Sequence, residues 1–262
     1  FPFASDTNAS DVGNLTAATS ITSGQSSSTH GYRSGGTPNI DTIDKFSFNS
    51  DGDASDVGEL SANRNALAGQ QSSTNGYASG GFAPGASNII DKFPFSSDTN
   101  ATAIADLSQA RYSCTGNSSD INGYSCGGNE PTIGDTIDKF SFSADENATD
   151  VGELSSTTGR TAAQSSDANG YISSLTPNYD RIDKFSFSSD VNGTDIASLA
   201  LSQVVVNTGQ SSTTNGYATG GYDIPLAARA DHIQKFPFSS DSTAVDIANL
   251  TQSRSDGAGQ QY

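Results

Sequence analysis

A six-residue motif that occurs five times constrains this chain more than any other feature of its sequence. Ile-Asp-Lys-Phe-Ser-Phe at 43–48 has close counterparts at 90–95, 137–142, 182–187 and 233–238, and Phe1-Pro2-Phe3 matches its last half. Of the 13 phenylalanines, all except Phe82 lie in these copies. A motif that holds nearly all the large aromatic residues must build the core, so functional residues are expected where the repeats differ.

Each repeat contains four strand-sized segments, which are clearest between residues 60 and 107. They lie around 68–72, 76–80, 90–95 and 103–107, and each is bounded by Gly, Asn, Asp or Ser. Such short segments with turn residues between them are typical of antiparallel strands, and no helical periodicity competes with them. Four strands in units of about 45–51 residues predict an all-β fold, a β-propeller of four-stranded blades.

Counting the segments predicts how the propeller closes. The inner, third and fourth segments each occur six times, but the Gly-Tyr segment that forms the second strand occurs five times. We therefore predict one six-bladed domain over 1–262, with repeats at about 1–45, 46–92, 93–139, 140–184, 185–235 and a partial 236–262. The closing blade is split between the termini, with outer strands from residues 1–15 and its inner strand from 255–262. Its second strand, about 19 residues with the loop, is missing.

The order of these segments resembles the kelch repeat. A typical unit contains, in order, an arginine, the inner strand, Gly-Tyr-x-x-Gly-Gly, a loop, Asp-x-Phe-x-Phe, an acidic turn and a small strand that ends in leucine. The double glycine lies at 35–36, 80–81, 127–128 and 220–221. The chain departs from the pattern because it has no tryptophan, because the fourth unit reads Ile-Ser-Ser-Leu after its Gly-Tyr, and because the arginine is in register only at Arg64, Arg111 and Arg254. The repeats are also similar to those of secreted or virion-appendage proteins of marine microbes and their phages. That resemblance implies an extracellular or virion-surface location.

The charge of the chain restricts its partners. A net charge of -17 and a pI near 4.1 argue against nucleic acid, since phosphate binding needs clustered Lys and Arg. The same charge argues against an anionic membrane, and no apolar run is long enough to insert into one.

The turn between the third and fourth segments is the only candidate metal site. It reads Asp51-Gly52-Asp53-Ala54-Ser55-Asp56 in the first full repeat. Oxygen ligands at alternate positions suit calcium, so Asp51, Asp53 and Asp56 are weak calcium candidates. The closing glutamate of an EF-hand is missing, however, and Asp, Asn and Ser equally stabilise a tight turn, which is the preferred interpretation. No other cofactor is expected.

The inventory of catalytic groups is thin. His30 and His232 are the only histidines, and neither lies beside a Ser or Cys motif with a known role in catalysis. The seven arginines are scattered along the chain. We therefore expect a protein that is not an enzyme.

The two cysteines, Cys114 and Cys126, lie on the first and second strands of one blade, symmetric about the turn at 119–121. A regular hairpin would place them opposite each other, which predicts a cross-strand disulfide and an oxidising location. A pair of small buried thiols is the alternative.

The connections between strands two and three vary most among the repeats, and variable loops on a rigid scaffold are the usual place for binding sites. Two neighbouring connections bring together the densest set of recognition groups. This predicted ligand-binding set comprises Tyr179, Asp180, Arg181, Tyr222, Asp223, Arg229, Asp231 and His232. Tyrosine faces stack on sugar rings, and Arg and Asp bind hydroxyls or carboxylates. Pairing of the arginines with neighbouring carboxylates is the alternative. The sequence thus favours a recognition or adhesion module for a glycan or cell-surface ligand, and the alternative is a structural subunit that decorates a surface or virion appendage and contacts neighbouring subunits.

Overall fold

The computed structural model describes residues 1–129, 132–175, 179–202, 204–205 and 207–260. Regular structure in these residues consists of β-strands. Four-stranded antiparallel sheets follow one another along the chain, and each pairs its strands in sequence order from an inner to an outer edge. The inner strands of successive sheets contact one another, which gives the propeller arrangement that the repeats predict.

The blades are numbered in chain order. Blade 1 contains β1 (Ser23–Ser26), β2 (His30–Gly36), β3 (Ile40–Ser47) and β4 (Ser55–Glu59). Blade 2 contains β5 (Ala68–Gln71), β6 (Asn75–Ser79), β7 (Ile89–Pro94) and β8 (Thr102–Asp106). Blade 3 contains β9 (Thr115–Ser118), β10 (Asn122–Asn129), β11 (Ile133–Ser141) and β12 (Thr149–Glu153). Blade 4 contains β13 (Ala162–Ser165), β14 (Asn169–Leu175), β15 (Arg181–Ser186) and β16 (Thr194–Ser198).

Blade 5 carries an addition that the described residues of the other blades do not form. Its four strands are β18 (Thr208–Ser211), β19 (Asn215–Thr219), β22 (His232–Pro237) and β23 (Val245–Asn249). A separate three-stranded sheet is formed by β17 (Val204–Val205), β20 (Tyr222–Asp223) and β21 (Ala228–Arg229). This small sheet joins the connection into blade 5 with the loop between its second and third strands.

The predicted number of six blades was wrong, because the structure forms five. Residues 1–15 and 255–260, here called the sixth sector, fill the position between blade 5 and blade 1 but contain no strand. Phe1 and Phe3 lie against Tyr217 of blade 5, with ring centroids 5.4 and 5.1 Å away. On the other side, the amide of Ile21 donates to the carbonyl of Asp256 at 2.8 Å. The sector lacks a second strand, so its inner and outer segments have nothing between them to pair with. Residues 261 and 262 of the predicted inner strand lie outside the described residues.

Aromatic contacts between blades make the core. Tyr32 of blade 1 packs against Phe93 and Phe95 of blade 2, with centroids 5.5 and 4.8 Å away, and the same contact recurs at each following junction. Alternation along the third strand places both phenylalanines on one face, as predicted. Burial of each such ring contributes roughly 1.5–3 kcal/mol.

The motif arginine joins consecutive blades through a buried ion pair. Arg64, which follows blade 1, pairs with Asp91 on β7, and Arg111 pairs with Asp138 on β11 at 2.8 Å. Threonine occupies this place after blade 3, and Asp183 on β15 instead accepts hydrogen bonds from the amide and hydroxyl of Ser155, at 2.6 and 2.7 Å. Burial raises the pKa of Asp183, and the bonds from Ser155 oppose that rise.

Candidate functional site

The connections from strand two to three and from strand four to the next blade lie together on one face, here called the variable face. In blade 1 the amide of Leu60 donates to the carbonyl of Asp41 at 2.7 Å, and the amide of Arg64 to that of Ile40 at 3.1 Å. Ile40 and Asp41 begin β3, so these bonds hold the connection that follows β4 beside the end of the connection between β2 and β3, on the same side of the propeller.

The structure brings three of the eight predicted ligand-binding residues onto the small sheet. Tyr222 lies opposite Arg229 in the pairing of β20 with β21, and Asp223 follows Tyr222 on β20. Tyr222 is 37% exposed and Arg229 is exposed as well. Asp223 accepts the amide of Leu226 at 2.9 Å, which fixes the loop between the two strands. An aromatic face and a guanidinium are thus available to solvent side by side.

Four of the other five predicted residues have structural contacts of their own. Arg181 forms an ion pair with Asp195 at 2.7 Å, and His232 Nδ1 lies 2.9 Å from the carboxylate of Asp246. For Arg181 the alternative, pairing with a neighbouring carboxylate, is what the structure shows, and His232 also has a carboxylate beside it. The carbonyls of Asp180 and Asp231 accept the amides of Leu199 and Leu250, at 2.6 and 2.7 Å, at the ends of the fourth strands. Tyr179 has a left-handed backbone, with φ 57°.

Sequence reasoning missed a second group of residues, which surrounds the inner opening of the variable face. One residue from each of four blades and one from the sixth sector has a left-handed backbone there. They are Ile21 (φ 57°), Ala66 (56°), Ser113 (58°), Arg160 (59°) and Asp256 (59°). Their amides donate to one another's carbonyls around the opening. Ala66 donates to Ile21 at 3.0 Å, Ser113 to Ala66 at 2.8 Å and Arg160 to Ser113 at 2.9 Å. We call these five residues the mouth ring.

Left-handed conformations cost free energy for residues with a side chain, most of all for a β-branched residue such as Ile21. They persist here because the backbone bonds between blades over-determine them. The sequence does not show these backbone bonds between blades. It does show that the residue three positions before the inner glycine or alanine differs in every repeat, which could have pointed to the group.

The mouth ring surrounds a cavity of about 120 Å³ at the centre of the variable face. Arg160 and Asp256 are its charged lining residues. Ser113 Oγ, Thr161 Oγ1 and Asn207 Nδ2 also belong to lining residues, and each is buried without a hydrogen-bond partner among the described residues. Buried polar atoms are normally satisfied, so the residues that line this cavity hold three polar atoms without the usual partner.

The acidic turns link neighbouring blades. In blade 1 Asp53 Oδ1 accepts the amide of Asn14 at 2.9 Å and its side-chain nitrogen at 3.1 Å, while Asp56 Oδ1 accepts the amide of Gly58 at 3.2 Å. The described residues contain no group of three His, Cys, Asp or Glu side chains arranged to hold a metal ion. These bonds support the turn interpretation of Asp53 and Asp56, whereas calcium binding by Asp51, Asp53 and Asp56 stays a prediction.

Lysines from the third strands extend the same link. Each lysine pairs with the first aspartate in the acidic turn of the next blade or sector around the propeller, over 2.5 to 2.6 Å. The pairs are Lys45 with Asp98, Lys92 with Asp145, Lys139 with Asp190, Lys184 with Asp241 and Lys235 with Asp6. Regular spacing of one lysine and one aspartate per repeat was the signal that could have predicted this.

The predicted disulfide is replaced by two buried free thiols. The pairing of β9 with β10 places Cys126 opposite Thr115, and Cys114 precedes the first residue of β9. The same register runs back to the turn, where Ser118 lies opposite Gly123, so the hairpin is centred between Asp120 and Ile121 and the symmetry argument fails by one residue.

We expect neither thiol to react with a disulfide-exchange reagent in the native protein, since both are buried and burial raises the pKa of Cys126 far above its usual value. Two thiols per chain should react after unfolding in guanidinium chloride without a reductant. Absence of reactive thiols after unfolding would show that the bond forms in the protein.

Among the described residues, no helix is long and apolar enough to cross a membrane. Comparison with protein-family models and with curated proteins found no match to this chain. The candidate site therefore rests on the geometry of the variable face alone.

Proposed function

We propose that this chain is a non-enzymatic recognition or adhesion module at an extracellular or virion surface, which binds a glycan or another cell-surface ligand through the variable face. The mouth ring carries the proposal. Five equivalent positions share one backbone conformation but hold five different side chains: Ile21, Ala66, Ser113, Arg160 and Asp256. Packing needs would favour the same residue in each repeat, whereas recognition of an asymmetric ligand needs different ones.

The opposite face supports this contrast. Its turns between strands one and two repeat one arrangement. A serine hydroxyl accepts a hydrogen bond from the backbone amide two or three residues later, and the amide of that serine forms another hydrogen bond within the same turn. Ser72, Ser119, Ser166 and Ser212 all do so, with bonds of 3.0 to 3.1 Å to the amide three residues on. Uniform turns on one face and varied chemistry on the other are what a scaffold with a single binding face would have.

A hydroxyl-rich ligand fits the groups that the variable face offers. The Arg160 side chain can donate to sugar hydroxyls and that of Asp256 can accept from them, and both residues line the cavity. Tyr222 and Arg229 on the small sheet provide a stacking face and a cation. Kelch-like blades and a function that requires no cofactor belong to the same proposal.

The test is a glycan array probed with the isolated chain, followed by affinity measurements on two double variants. Arg160→Asn with Asp256→Asn keeps residues that tolerate the left-handed backbone, and Tyr222→Ala with Arg229→Ala removes the groups on the small sheet. We expect at least one variant to lose about tenfold or more in affinity, as removal of a charged hydrogen-bonding partner does. Glu146→Gln, on an exposed turn of the opposite face, should bind as the unchanged protein does.

The second candidate is a structural subunit of a surface or virion appendage. It is favoured by Ile224 and Leu226, which are 42% and 74% exposed at the tip of the small sheet and could contact a neighbouring subunit. Failure to bind any glycan or cell surface, with concentration-dependent assembly that Leu226→Ser abolishes, would support this function instead.

A further inference from the structure

Around the sixth sector, several side chains lack, among the described residues, the partners that their counterparts have at other blade junctions. We infer that this sector is an acceptor site for one extended polypeptide segment of the chain's own repeat type, comprising a Gly-Tyr strand, its loop and an Asp-Lys pair in register ahead of Phe1. This inference does not depend on the function of the variable face. Three independent sets of contacts define what the segment must contain.

The aromatic contacts require a tyrosine. Each other phenylalanine pair packs on a tyrosine of the preceding blade, with centroids 4.7 to 5.7 Å apart. Phe46 and Phe48 of blade 1 are the exception, because the described residues place no tyrosine ring against them. Phe48 is consequently 42% exposed. A Gly-Tyr strand in the sixth sector would supply the ring that covers them.

The inner amides require the same strand. Gln25, Gln70 and Gln164 each donate to the carbonyl of the tyrosine in the next blade, at 3.0, 2.9 and 2.9 Å. Gln210 faces the sixth sector, and the described part of the chain gives its side chain only Thr219 of its own blade, at 3.2 Å. Gln260 reaches the carbonyl of Tyr32 at 3.3 Å. Among the described residues it bonds no hydroxyl, unlike Gln70, which bonds Ser79 at 3.0 Å.

The charges require an aspartate and a lysine. Arg64 and Arg111 pair with the third-strand aspartate of the next blade, but the equivalent Arg254 is exposed and bonds Thr251 Oγ1 at 3.4 Å. In the ring of exposed Lys-Asp pairs, Asp51 is the turn aspartate to which no described lysine is joined. Phe1 stands where Phe93 does in blade 2, so the missing pair belongs in the two positions directly ahead of Phe1.

Residues 73–92 of blade 2 contain every group that these contacts demand. Tyr77 would cover Phe46 and Phe48, its carbonyl would accept from Gln210, Ser79 would bond Gln260, Asp91 would pair with Arg254 and Lys92 with Asp51. A strand that adds between two existing segments also gains backbone hydrogen bonds along both edges. A synthetic peptide of this sequence is therefore the probe for the acceptor site.

Titration of the peptide into the full chain, followed by calorimetry, should show one site and a rise in melting temperature, since ligands that bind the folded state stabilise it. Tyr77→Ala in the peptide should weaken binding by about tenfold or more. Asp51→Lys in the protein should also weaken binding, and Lys92→Asp in the peptide should restore it, which nonspecific apolar association would not do. Asp120→Lys, on an exposed turn of blade 3, is the matched control and should leave binding unchanged.

A second measurement does not need a separate peptide. Residues 73–92 fused directly ahead of Phe1 should raise the melting temperature above that of a fusion with the same residues in scrambled order. Equal binding of the scrambled peptide, no binding at millimolar concentration, or failure of the charge swap would overturn the proposal. Dimerisation of the chain that Phe48→Ser abolishes would also overturn the proposal, because the occupant of the acceptor site would then be a second copy of the chain.

Discussion

Asp91→Ala is expected to lower the free energy of unfolding by about 3–5 kcal/mol, because it leaves the guanidinium of Arg64 buried without a counter-charge. The Arg64 side chain is 1% exposed and that of Asp91 is fully buried. Arg64 Nη1 also donates to the carbonyls of Gly80 and Ile89, at 2.7 and 3.1 Å, so the side chain cannot leave without breaking the loop of blade 2. Burial lowers the pKa of Arg64, and the Asp91 carboxylate opposes this effect. The variant would remove that opposing charge.

Urea unfolding of Asp91→Ala beside Asp145→Ala measures the difference. Asp145 pairs with Lys92 at 2.6 Å but is 53% exposed, and surface pairs of this kind contribute about 0–1 kcal/mol. The double replacement Arg64→Met with Asp91→Leu should cost much less than Asp91→Ala alone, since it leaves no buried charge. If Asp91→Ala cost no more than Asp145→Ala, the buried pair would not hold the blades together.

Tyr77→Ala should cost about 3–5 kcal/mol, the range for truncation of a buried aromatic residue. The Tyr77 side chain is fully buried between blades 2 and 3. Its ring is stacked 4.7 Å from Phe142 and tilted 5.6 Å from Phe140, so truncation opens a cavity at a blade junction.

Thermal and urea unfolding would both report this loss. Tyr222→Ala is the matched control, because Tyr222 is 37% exposed on the small sheet and its removal should change stability by less than about 1 kcal/mol. A similar melting temperature for the two variants would mean that the aromatic contacts between blades are not the main source of stability.

The blades could be predicted from the sequence because each repeat contains its own strand alternation and turn residues. The number of complete blades could not, because counting treats each segment as a strand whether or not it has a neighbour. Residues 1–15 repeat the outer segments of a blade, yet they form no strand without a second strand beside them. A β-strand is defined by its partner, which a repeat count does not include.

The candidate site was only partly predictable for a similar reason. Tyr222 and Arg229 were found because residue type and loop length point to recognition, and the pairing of β20 with β21 does bring them together. Arg181 and His232 were equally attractive in sequence, but Asp195 and Asp246 lie within reach of them in the fold. The mouth ring was missed because a left-handed backbone at Ile21 or Arg160 follows from contacts between blades and not from the residue itself.

The mouth ring has a consequence for how such a chain can diverge. Its five residues are held through backbone amides and carbonyls, which every amino acid except proline possesses, so their side chains contribute little to holding the blades. Mutations there would be selected for what they bind, while mutations at the aromatic junctions would be selected for whether the protein folds. Descendants of one gene could therefore acquire new specificities in single steps and inherit the same scaffold unchanged.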